Sequence, residues 1–292
     1  MTGIHPPRAQ FLLDAARATF WVCFRGALPS DEPEVLRLLA GLGWHVEAAL
    51  SKGRTVWLEE ELQRTFGLNP PAARAAAREA WDLWMQARLE EVVLPQLVRE
   101  RAPVEAWVRL EGELGGGGVV LHLAAGSRKM AAWALSEGRE PGWVGIFGRR
   151  GLPAQGKGAA RATWLNRWEA KTRRREENTL PFRWLEDEEA LERHLGGGGL
   201  ALLGVDDPGF QDQRAGTLFG QPTDLPTLPF ALATRHPTYL LHMERRRDKT
   251  HQARIEVSQD DATAQLAALE ADVRRRPGHY AMTLVDRRMR GG

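Results

Sequence analysis

Along the first third of the chain, from residue 8 to about 110, apolar positions recur at helical spacing among Ala, Arg and Glu, which predicts a mostly helical region. Asp31-Glu32-Pro33-Glu34 is a helix start ahead of Val35, Leu36, Leu38 and Leu39, and Gly41 and Gly43 interrupt that helix. Pro70-Pro71 opens an Ala/Arg-rich helix predicted to run to about Glu91, because proline is tolerated in a first turn whose N–H groups lack partners anyway. From Ala106 onward the rhythm changes to short apolar runs separated by glycine loops. Strands are predicted at Val104–Leu110, Val119–Leu123, Trp143–Phe147 and Leu200–Val205, with a helix opening at Ser127. The pattern predicts an α/β fold, with a helical N-terminal region over 1–100 packing on an α/β core over 101–292 as one continuous domain.

Two runs, Gly115–Gly118 and Gly196–Gly199, each precede a predicted strand. A phosphate loop must lie between a strand end and a helix start, so that backbone N–H groups converge on the anion. These runs enter strands instead, and they predict tight turns.

Composition narrows the classes. A chain of 292 residues, 43% hydrophobic, can bury a sizeable core. With 40 basic against 38 acidic residues the net charge is only +2, which does not suit a nucleic-acid coat, and no nucleic-acid partner is expected. Cys23 is the single cysteine, so internal disulfides and thiolate zinc clusters are excluded and a reducing compartment is expected.

The longest nearly apolar stretch, Phe11 to Leu28, is broken by Asp14, Arg17 and Arg25, and reads as neither a spanning helix nor a signal peptide. Its residues Phe11, Leu12, Ala15, Phe20, Val22 and Phe24 suit either a membrane interface or a face packed on the domain. The segment Arg149 to Glu177 carries nine Arg and Lys with Trp164 and Trp168 interleaved. It reads as a solvated helix with inward tryptophans or as a surface for anionic lipid.

Chemistry concentrates where the Val119–Leu123 strand enters Ala124-Ala125-Gly126 and Ser127 opens the helix Arg128-Lys129-Met130-Ala131-Ala132-Trp133-Ala134-Leu135. This frame resembles the active-site strand, turn and helix of the bacterial lipid A late acyltransferases, within the glycerolipid acyltransferase superfamily. Three further patches keep the family's order: Glu90–Leu97 with Val108-Arg109-Leu110-Glu111-Gly112; Leu203–Gly209 with Gly216–Pro222 and Leu228–Thr234; and Val273–Tyr280 with Arg287-Arg288, where Met282 stands at a usual Trp. The resemblance implies a mixed, twisted sheet flanked by helices, with a cleft at the strand ends that takes an acyl thioester and a glycolipid hydroxyl. It also implies an N-terminal region that meets the membrane.

The same resemblance places a His and, after four intervening residues, a carboxylate; aligned on Gly126, those positions hold Ala124 and Lys129. A methyl group is no base, and a lysine cation would depress a neighbouring imidazole where a carboxylate would orient it. His122 is the fallback base. It faces the same side as position 124 but lies roughly 6–7 Å back in the strand, and the residue five beyond it is Ser127, which is no acid; a core histidine is the plainer reading. Asp206 and Asp207 are the fallback carboxylates. Gly126, Ser127, Arg149, Arg150, Phe219 and Gly220 fall at positions the resemblance assigns to the substrate cleft.

No metal spacing joins His236, His242, His251 and His279, and no Gly-x-Ser-x-Gly elbow, P-loop or dinucleotide fingerprint is present, so neither metal nor cofactor is expected. The expectation is a protein without the usual dyad that binds an acyl chain, a phospholipid or glycolipid, or a partner protein. Its expected place is the cytoplasm, peripheral at the anionic inner face of the cytoplasmic membrane. The alternatives are an active acyltransferase using displaced residues and a scaffolding subunit with a filled cleft.

Overall fold

The computed structural model describes residues 52–123, 126–148, 178–207, 210, 212–245 and 250–280. The expectations for Phe11–Leu28, Ala124, Arg149–Glu177 (Arg149 and Arg150 included), Met282 and Arg287-Arg288 lie outside these residues.

Helix α1 (Lys52–Phe66) packs along the first half of α2 (Pro70–Glu100), with Leu58 and Leu62 set against Ala73, Ala76, Ala77 and Ala80. Asn69 caps α2, its side chain accepting from the Ala72 N–H at 2.9 Å, and Pro70-Pro71 fill the first turn. The helix runs to Glu100, past the predicted end near Glu91 and through Pro95. An internal proline removes one helical hydrogen bond. Here Val93, Leu94 and Leu97 bury against the sheet on either side of it and hold the helix together.

The predicted strand over Val104–Leu110 is two elements: a 3-10 turn at Val104–Ala106, then β1 (Val108–Glu111). After it come β2 (Gly118–His122), α3 (Arg128–Leu135), β3 (Val144–Phe147), β4 (Phe182–Leu185), α4 (Glu188–Gly196) and β5 (Leu200–Gly204). A hairpin of β6 (Gln213–Leu218) and β7 (Gln221–Pro226) leads to α5 (Leu228–Ala233). Then β8 (Thr238–Arg245), β9 (His251–Ser258) and α6 (Ala262–Arg275) complete the described fold.

Seven strands form one mixed sheet in the order β1-β9-β8-β2-β5-β3-β4, so the fold is α/β. β8, β2, β5, β3 and β4 run parallel. β9 turns back antiparallel to β8, and β1 joins β9 in parallel. β2 and β5 are buried at every position, as continuous apolar runs in a sheet covered on both faces should be. Alternate residues serve alternate layers. Val120, Leu202 and Leu241 pack under α2 and α3, while Val119, Leu203 and Leu240 pack with α4, α5, α6 and the β6–β7 hairpin.

The two tetraglycine runs lie side by side where β2 and β5 begin. The Gly118 N–H donates to the Gly199 carbonyl at 3.0 Å, and a Cβ on Gly117 would stand 2.2 Å from the Gly198 oxygen. They are close-packed turns, at the opposite end of β2 and β5 from His122 and Asp206.

Candidate functional site at the strand ends

β2 and β5 deliver their last residues side by side, with His122 paired in register to Gly204 and the Val205 N–H donating to the His122 carbonyl at 3.0 Å. The topology makes this a switch point, the place where open α/β sheets bind ligands. From β2 the chain leaves toward β3 on one side, and from β5 it returns to β8 on the other. Ser127 caps α3 as predicted, its hydroxyl accepting from the Met130 N–H at 3.4 Å. Gly126, at φ +82°, turns the chain where a Cβ would touch Met243 of β8 at 3.4 Å. Lys129 is half-buried in the first turn of α3.

His122 is buried, and its Nδ1 lies 3.0 Å from the Leu123 carbonyl. A carbonyl only accepts, so Nδ1 carries the proton. Nε2 is then left buried, without a hydrogen-bond partner among the described residues. Burial depresses the imidazole's pKa and the Arg128 cation adds to this; Asp206 and Asp207 oppose it without reversing it. The two carboxylates are engaged elsewhere: Asp206 accepts the Tyr280 hydroxyl at 2.7 Å, and Asp207 pairs with Arg128 at 3.1 Å. The structure therefore brings His122, Asp206 and Asp207 to one end of the sheet, and among the described residues no carboxylate is hydrogen-bonded to the imidazole. Replacing His122 with Ala should cost about 1–3 kcal/mol through the orphaned Leu123 carbonyl, read by urea denaturation, and should leave any acyl-transfer activity unchanged.

Phe219 and Gly220 form the two-residue turn of the β6–β7 hairpin, both at positive φ. The Phe219 ring is buried against Phe66 and Tyr280, with centroids 4.9 and 5.0 Å away, and its N–H donates to Glu270 at 2.8 Å. Tyr280 thus touches both Phe219 and Asp206, tying this hairpin to the end of β5. In this arrangement Phe219 packs the domain together and Gly220 is exposed.

Two clusters were not anticipated from the sequence. Under α2, where β8 ends and β9 begins, Glu90 accepts from Arg245 and lies 2.8 Å from His251 Nε2, all three side chains being 6% exposed or less. Burial pushes the Glu90 carboxyl up, but His251 and Arg245 outweigh it and the net shift is downward. Burial lowers His251, and the Glu90 charge only partly offsets this. The cluster is a carboxylate held between a guanidinium and a neutral imidazole.

On the other face a cleft of about 250 Å³ opens between the β8–β9 hairpin and the last turn of α6. Arg275 and Arg276 line it from the helix and Arg254 from β9, alternating in sign with Asp272 and Glu244. Arg275 pairs with Asp272, and Arg276 with Glu244 at 3.2 Å. Burial raises the Asp272 carboxyl, but the neighbouring His242 and Arg275 overcome this and hold it at about 2.

Among the described residues no three His, Cys, Asp or Glu are grouped to hold a metal, and no helix is long and apolar enough to cross a membrane. No family model matches the chain, and no curated protein matches it.

Proposed function

We propose that the chain is a diverged relative of the lipid A late acyltransferases that binds a lipid or its acyl chain at the strand-end crevice and does not transfer it. The observation that carries this reading is the disposition of His122. It is buried, neutral, fixed in one tautomer by a carbonyl, and without a carboxylate to orient it. A general base in acyl transfer needs its imidazole within reach of the acceptor hydroxyl and an acid behind the ring. Lys129 at the family's acid position, and Asp206 and Asp207 committed to Tyr280 and Arg128, supply neither.

Native mass spectrometry of the purified chain, followed by lipid extraction, tests this. A co-purified lipid or fatty acyl species at near-stoichiometric amount is expected, with no turnover of an acyl thioester. Thioester turnover abolished by His122→Ala would establish the enzyme in its place. An empty chain that co-purifies with a protein partner would favour the scaffold.

The placement at the membrane belongs to the same proposal. Its motives are the apolar stripe from Phe11 to Phe24 and the basic run from Arg149 to Arg175. Each basic residue near an anionic surface contributes on the order of 1 kcal/mol. The chain should therefore float with anionic liposomes at low salt and be released at high salt.

A further inference from the structure

The cleft between α6 and the β8–β9 hairpin lies on the sheet face opposite α2 and plays no part in the proposal above. Its lining is of mixed sign. Three guanidinium groups converge from two elements on a space that also receives the carboxylates of Asp272 and Glu244. The cations are the outer groups: the Arg254, Arg275 and Arg276 side chains are 41%, 66% and 47% exposed, against 24% and 33% for Asp272 and Glu244. Each guanidinium offers five N–H donors in a fixed fork. The ion pairs described occupy one or two of them per arginine.

At the base of the cleft His242 is buried, and neither of its ring nitrogens makes a hydrogen bond among the described residues. Glu256 and Asp272 stand off from them at 3.5 and 3.6 Å. A buried imidazole without a hydrogen bond is a site that a ligand or water would satisfy. The carboxylates approach opposite nitrogens of the ring, so the three side chains do not converge on one point as metal ligands would.

A simple anion in this space would meet the carboxylates, and a simple cation would meet the arginines. A dipolar ligand meets neither repulsion. We infer that the cleft binds a small zwitterion, its phosphate or carboxylate group on Arg275 and Arg276 and its primary ammonium on Glu244 and Asp272. The volume suits a head group and not a whole lipid. The shared chemistry is that of an amino-phosphate or amino acid, whether free in solution or as the head of a phospholipid. The apolar side chain of Val273 borders the same space beside the short carbon link between the two charges.

Isothermal titration with O-phosphoethanolamine, inorganic phosphate, ethylammonium and glycine separates the possibilities. Vesicles of phosphatidylethanolamine in phosphatidylcholine provide the membrane arm. O-phosphoethanolamine or glycine should bind at least about tenfold more tightly than phosphate or ethylammonium. That preference should be lost by about the same factor in Arg275→Gln/Arg276→Gln and in Glu244→Gln, as removal of a charge-assisted hydrogen bond requires. Arg235→Gln, whose partner is the surface Glu192, is the control and should bind as the parent does. Binding to the vesicles alone would assign the lipid head group as the source; binding of the free compounds would assign a soluble ligand. Phosphate alone binding as tightly as the zwitterions, variants that bind unchanged, or no binding to any probe would each overturn the inference. Because none of these probes carries an acyl chain, failure here leaves the strand-end crevice to be judged on its own test.

Discussion

Glu90→Ala is expected to destabilise the protein by about 3–5 kcal/mol, because it strips a buried guanidinium of its carboxylate in a place water does not reach. Replacing both charged partners, as Glu90→Met/Arg245→Met, should recover most of that loss. An apolar pair of similar volume has no desolvation cost to offset, whereas a single buried charge does. Urea denaturation of the parent, the single variant and the double variant checks this. A double variant no more stable than the single one would mean that the ion pair itself, and not the burial of the remaining cation, sets the energy.

The same cluster fixes a pH dependence. Both Glu90 and His251 have folded-state pKa values below their ordinary values of 4.5 and 6.5. A group depressed on folding stabilises the protein above its unfolded pKa and loses that contribution as the pH falls through the folded one. The melting temperature should thus begin to fall below about pH 6.5 and fall more steeply below about pH 4.5. The steeper component should be smaller in the Glu90→Met/Arg245→Met variant, where what remains comes from other depressed carboxylates such as Asp272.

Gly117→Ala is the second large effect, on the order of 3 kcal/mol or more. The new Cβ would stand 2.2 Å from the Gly198 oxygen and 2.7 Å from that of Gly199. Both obstacles are backbone, so relief requires β2 and β5 to part where they are hydrogen-bonded. One residue earlier, Gly116 has nothing within 4 Å of its added Cβ, and Gly116→Ala should stay within about 0.5 kcal/mol of the parent. Thermal melts of the two variants, followed by circular dichroism, compare the same chemical change at adjacent positions. Equal melting temperatures would refute the close packing of the two glycine runs.

Those runs show how far the sequence could be read. Their position ahead of apolar strands marked them as turns, but nothing in either run says that it touches the other. Likewise β2, β5 and α3 follow from local pattern: unbroken Val and Leu runs, then Ser127 as a cap. The order of the strands does not. β1 has four residues, and it is placed by pairing with β9, roughly 140 residues later. The length of α2 was hidden by Pro95, because only the contacts of Val93, Leu94 and Leu97 show what carries the helix across it.

At the candidate site, the frame around Gly126 and Ser127 was legible, and so was the histidine's place in the core. The engagement of Asp206 by Tyr280 was not, since it joins residues 74 apart. The buried cluster did leave a signal. Glu90 falls in phase with Val93, Leu94 and Leu97 on one helix stripe, and His251 in phase with Ala253 and Ile255 on one strand face. A charge that keeps the period of the core is a charge with a buried partner.

The separation of those partners bears on how the chain is made. Glu90 leaves the ribosome 155 residues ahead of Arg245 and 161 ahead of His251. At an elongation rate of roughly 5–20 residues per second, that is an interval of about 8–30 seconds. Throughout it, α2 carries a carboxylate on the very stripe meant for the interior, and no countercharge yet exists. The helix cannot close over the sheet while that carboxylate keeps its water. Docking of α2 is therefore expected only after the β8–β9 hairpin has been synthesised. A nascent chain halted before Arg245 should expose the apolar stripe of α2 to protease and to chaperones, and one halted after His251 should not.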